Sequence, residues 1–63
     1  MDEQQFLNIV NQIVNKHNCL IKDIDIKRKI IDIVPFAESE KQKNIDQINC
    51  ARELSDVLNQ YLF

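Results

Sequence analysis

Sixty-three residues with a net charge of −2 and an isoelectric point near 5.1 form one small domain with no overall attraction for nucleic acid. At 44% hydrophobic and 29% charged residues the chain is globular rather than disordered, and at this length it buries only about 60% of the surface its unfolded form exposes. No apolar run approaches the ~18 residues of a membrane span, Met1-Asp2-Glu3 is acidic where a secretory leader is basic, and two cysteines without a framework fit a reducing cytoplasm.

The first predicted element is a helix from Glu3 to Lys16. Asp2 stands as its N-cap with Gln5 three residues on, a capping-box pair. Phe6, Ile9, Val10, Ile13 and Val14 recur at helical spacing and form one stripe, with Leu7 beside it. Lys16 and His17 lie in the last turn, where positive charge suits the helix dipole. The chain contains no glycine, so Asn18 is expected to take the left-handed conformation that ends the helix.

A β-hairpin follows, with strands over 20–27 and 30–34. Ile24 and Ile26 alternate with Asp23, Asp25 and Lys27, and the stretch from Ile24 to Val34 is rich in β-branched residues. As a helix, its isoleucines scatter over most of the circumference and no stripe emerges. Placing Ile26 opposite Ile31 and Ile24 opposite Ile33 gathers four isoleucines on one face. That register also sets Asp25 against Asp32 on the solvent side. A two-residue Arg28-Lys29 loop needs positive φ at both positions, so a four-residue loop over Lys27–Ile30 is preferred.

Pro35–Glu38 connect to a second helix over 40–62. Ser39 and Gln42 form the S-x-x-Q capping box, and Glu38 and Glu40 add negative charge at that end. Pro35 as the first helical residue is the alternative start. The expected stripe is Ile45, Ile48, Ala51, Leu54, Val57, Leu58, Tyr61 and Leu62. Cys50 falls at its edge. The fold class is therefore α+β, a helix–β-hairpin–helix single domain.

Element lengths point to assembly. The second helix spans about 35 Å and a six-residue strand about 20 Å, so one hairpin and a shorter helix leave part of the long stripe uncovered. A lone two-stranded sheet is also marginal in water. A homo-oligomer or a protein partner is expected, joined edge to edge or through Leu54, Val57, Leu58, Tyr61, Leu62 and Phe63. Tyr61 is the favoured anchor because its ring buries a large area.

The chemistry-bearing residues are sparse. His17, Cys19 and Cys50 offer three metal ligands where zinc takes four, and they read instead as a helix-end histidine and two semi-buried thiols. A redox pair of Cys19 with Cys50 needs Cα atoms within ~7 Å. Asp23, Asp25 and Asp32 have no glycine loop to shape a calcium site. No nucleophile–base pattern or phosphate-cradling loop is present, so no catalysis, metal or cofactor is expected. Lys22, Lys27, Arg28 and Lys29 hold four of the eight basic residues. Lys27, Arg28 and Lys29 at the hairpin tip are candidate phosphate contacts, although no aromatic residue interleaves for base stacking. The leading expectation is a small non-enzymatic interaction or regulatory module, a homodimer or an adaptor subunit. The alternative is a nucleic-acid-associated regulator using the basic tip.

Overall fold

The computed structural model describes residues 2–61. It runs α1 (Glu3–Lys16), β1 (Cys19–Asp25), β2 (Ile30–Pro35) and α2 (Glu40–Gln60). The two strands form an antiparallel hairpin, and both helices pack on one of its faces.

At the start of α1, both halves of the capping box are made. The Gln5 amide donates to Asp2 Oδ1 at 2.8 Å, and the Asp2 amide donates to Gln5 Oε1 at 3.2 Å. Phe6, Val10, Ile13 and Val14 are buried, with Ile9 packed partly buried against them. Asn18 turns the chain out of the helix at φ 54°. Its carbonyl then accepts from the Phe36 amide at 3.1 Å, which closes the open end of the hairpin.

The hairpin register differs from the one expected. Asp25 faces Ile30, Ile24 faces Ile31, Asp23 faces Asp32 and Ile21 faces Ile33. A bulge lies between Ile21 and Asp23, so two residues of β1 oppose one of β2. Inward residues change parity along β1: Cys19 and Ile21 are odd-numbered, Ile24 and Ile26 even. The extra residue lets all four reach the same face. Ile24, Ile26, Ile31 and Ile33 do pack against the helices, as their spacing implies. The like-charge pair is Asp23 with Asp32, not Asp25 with Asp32.

The turn occupies residues 26–29, one residue earlier than expected. Ile26 O accepts the Lys29 amide at 3.2 Å and Asp25 Oδ1 accepts the Arg28 amide at 3.1 Å. The carboxylate organises the turn from its first flank. Lys29 then takes φ 58°, a conformation glycine or asparagine adopts with less strain. The strands accordingly run 19–25 and 30–35 rather than 20–27 and 30–34.

In α2, Ser39 Oγ accepts from the Gln42 amide at 3.1 Å. The Gln42 side chain does not return to complete the box. It donates instead to Asp46 Oδ1 at 2.8 Å. The buried face is Asp46, Cys50 and Leu54, continued by half-buried Val57 and Leu58 and by Tyr61. This corrects the expected stripe. Successive steps of three residues each fall about 60° short of a full turn, so Ile45 and Leu54, nine apart, lie on opposite sides. Steps of four from Asp46 to Cys50 to Leu54 drift the other way by only about 40° each and hold one face. Ile45 and Ile48 therefore stand 42% and 54% exposed, while Cys50 is fully buried. The helix ends at Gln60. Tyr61 leaves it in an extended conformation and stacks on Phe6 with ring centroids 4.4 Å apart.

Candidate interaction surface

Two-sided apolar patterning in β2 creates the exposed surface. Ile31 and Ile33 turn inward, so Ile30 and Val34 turn outward on the opposite parity, and Phe36 follows just past the end of β2. Leu20 lies directly across from Val34. All four are exposed, Leu20 by 57% and Phe36 by 53%. Leu20, Val34 and Phe36 sit together at the end of the hairpin nearest Asn18, and no described element covers that face. Sequence reasoning weighed the inward isoleucines and missed this outward set. Its signal was present: apolar residues occupy both parities from Ile30 to Phe36, so either choice of inner face leaves some outside. A second exposed apolar pair, Ile45 and Ile48, follows from the rotation of α2.

The residues expected at an interface are mostly used within the chain. Leu54 and Tyr61 are buried in its own core, and Val57 and Leu58 pack half-buried against it. Among the described residues, the part of that stripe from Leu54 to Tyr61 packs against Phe6 and the rest of the chain's own core. Leu62 and Phe63 lie outside the described residues. Beside Leu54 and Leu58 an open groove of about 280 Å³ separates α2 from β2, floored by Ile31 and Ile33 and bounded by Lys29.

Lys27, Arg28 and Lys29 are all exposed at the hairpin tip. Arg28 Nε stands 3.7 Å from Asp25 Oδ2, which offsets part of the local positive charge. Asp23 and Asp32 share the outer sheet face, with Asp23 Oδ1 taken up by the Ile24 amide at 2.9 Å.

At the other end of the hairpin, the fold gathers His17, Cys19 and Cys50 but does not shape them as ligands. The His17 ring places Nε2 2.9 Å from Glu53 Oε1, and Lys16 Nζ lies 2.7 Å from the same oxygen. Hydrogen bonds from Lys16 and His17 hold the Glu53 carboxyl below its ordinary range. Cys19 Sγ donates to the His17 carbonyl at 3.4 Å. The Cys50 and Cys19 thiols lie near enough to act on each other's ionisation. Burial pushes Cys50 up to about 12, helped by the neighbouring Cys19, and burial likewise raises Cys19. Asp46 lies close enough for its charge to raise Cys19 further. Its Oδ2 is buried without a hydrogen-bond partner among the described residues. No group of three His, Cys, Asp or Glu side chains among the described residues has the geometry to hold a metal ion. None of the described helices is long and apolar enough to cross a membrane.

Set against known protein families, curated proteins and solved structures, the chain matches none of them.

Proposed function

We propose that this chain is a small non-enzymatic interaction module that acts as a homodimer or as an adaptor subunit of a larger complex. The observation that carries this reading is the outer sheet face, where Leu20 and Val34 are an exposed cross-strand pair and exposed Phe36 follows at the end of β2. An isolated hairpin gains stability when a further surface covers it. A contiguous exposed apolar patch marks an interaction site more often than a casual surface. The site therefore moves from the end of α2 to the outer face of the hairpin, with Ile45 and Ile48 as a second contact region.

Light scattering over a range of concentrations tests the homodimer. The expected result is a dimer mass and a melting temperature that rises with protein concentration. Phe36→Ser combined with Val34→Thr should weaken association while the helical content stays unchanged. A monomer with a concentration-independent melt would overturn the homodimeric form. An adaptor must then be isolated as a stoichiometric complex of defined mass, and absence of both would overturn the reading entirely.

A second reading rests on the three consecutive exposed cations of the tip, Lys27, Arg28 and Lys29, as phosphate contacts of a nucleic-acid-associated regulator. Binding through them weakens steeply with salt, whereas apolar docking does not. Failure to retard any DNA or RNA at low salt would remove this reading.

A further inference from the structure

The chain has two cysteines, and folding brings both to one point of the core. Cys19 opens β1 and Cys50 lies midway along α2. Each is fully buried, and both are free thiols. Both belong to one buried core cluster, each thiol acts on the ionisation of the other, and the Cys19 thiol donates to the His17 carbonyl at 3.4 Å. The contact joins the hairpin to the long helix across the whole of β1, β2 and the connector.

We propose that Cys19 and Cys50 are a modification site, a dithiol that closes reversibly into an intrachain disulfide with a small disulfide of the glutathione class as oxidant. This inference is independent of the interaction reading. One cysteine, as thiolate, attacks a sulfur of the small disulfide. That bond breaks, a mixed disulfide forms and one small thiolate leaves. The second cysteine gives its proton to solvent and attacks the protein sulfur of the mixed disulfide. The protein disulfide forms, and the second small thiolate leaves. The two released thiolates take up the two protons. The protein pair is oxidised by two electrons, and the small disulfide is reduced by the same two.

The core controls when this happens. Neither thiol meets solvent in the closed fold, burial keeps both protonated, and the Asp46 carboxylate opposes a negative charge on Cys19. Exchange therefore waits for α2 to open from β1, or takes place during folding. Once formed, the bond closes a loop containing the hairpin and the first turns of α2, and it restricts the unfolded chain. The site is slow to oxidise when folded and strongly stabilising once oxidised.

The test uses the full wild-type chain. It is equilibrated at mildly alkaline pH in buffers of reduced and oxidised glutathione, quenched in acid and weighed. The expected product at oxidising ratios is a monomeric chain lighter by two hydrogens, with Cys19 and Cys50 in one cross-linked peptide pair. The reduced mass should return on adding excess thiol. The oxidised form should melt higher by about 10 °C. Oxidation of the folded chain should be slower than in denaturant by on the order of a hundredfold or more. Cys19→Ala and Cys50→Ala should each stop at one glutathione adduct once opened by denaturant. Glutathione adducts or intermolecular dimers as the equilibrium wild-type product would overturn the proposal. So would an oxidised form that melts lower, because the pair would then be held too far apart to bridge without strain.

Discussion

Truncating one residue on each side of α2 tests the orientation on which the exposed surface depends. Leu54 is 3% exposed and Ile48 is 54% exposed. A buried leucine cut to alanine loses its transfer free energy and leaves a cavity, for a cost of 2–5 kcal/mol in general. The groove beside Leu54 lets the site relax, so about 3 kcal/mol is the expected loss here. Leu54→Val removes one methylene and should cost about 1 kcal/mol. Burial of a whole isoleucine is worth about 1.5–3 kcal/mol, and Ile48 realises roughly half of it. Alanine keeps the β-carbon's share of that, about 0.4 kcal/mol, and returns about as much again through its higher helix propensity, so Ile48→Ala should cost about 0.5 kcal/mol or less.

Urea denaturation followed by circular dichroism reads the difference. A domain this small has a slope of about 1 kcal/mol per molar urea. Leu54→Val should then lower the midpoint by about 1 M and Ile48→Ala by about 0.5 M or less. Leu54→Ala should unfold the chain with little or no urea, since a core of this size supplies only about 3–5 kcal/mol. Running each melt at two protein concentrations separates folding from assembly. If Ile48→Ala costs as much as Leu54→Val in a concentration-independent way, the helix is rotated from the position described and the exposed surface is misassigned.

Three further perturbations follow from particular residues. Lys29→Gly relieves a left-handed backbone at φ 58° and should raise stability by about 0.5–1 kcal/mol in a thermal melt; a loss would mean that contacts of the lysine side chain outweigh the strain. Glu53 has its carboxyl held below the ordinary value of 4.5 by Lys16 and His17. Its contribution is present above that pH and disappears as pH falls through the folded value, so Glu53→Gln should flatten the loss of stability below about 4.5. Unchanged acid titration of stability in that variant would show the cluster to be inert. Asp46→Ala removes a buried oxygen that has no partner among the described residues and adds helix propensity, but it also removes the acceptor of the Gln42 side chain; the effects offset, so stability should change by less than about 1 kcal/mol, with the Cys19 thiol titrating lower as the neighbouring charge goes. A loss above about 1 kcal/mol would mean that the bond from Gln42 outweighs the cost of the buried carboxylate.

Element order and caps were legible because they depend on residues close in sequence. Asp2 with Gln5, Ser39 with the Gln42 amide, and Asn18 in place of a glycine each act within four residues. The hairpin was legible from its alternation. Its register was not, because the turn answers to Asp25 as well as to the isoleucines, and a bulge shifts one strand by a residue without marking itself in the local pattern. The parity change from Cys19 and Ile21 to Ile24 and Ile26 was the available sign.

The face of α2 escaped for a different reason. Apolar spacing of three can be followed indefinitely along a sequence, but on a helix it winds away from its starting side. The face that closes the fold carries a carboxylate and a thiol, Asp46 and Cys50, at positions where pattern reading looks for isoleucine. That face of α2 lies beside Cys19 and the end of α1. The larger Ile45 and Ile48 turn outward, as do Leu20, Val34 and Phe36 from the sheet. A 63-residue chain that buries cysteines and exposes isoleucines leaves part of its apolar surface outside its own core. That inversion stands beside the outer sheet face as physical ground for the proposal that this domain works in contact with another surface.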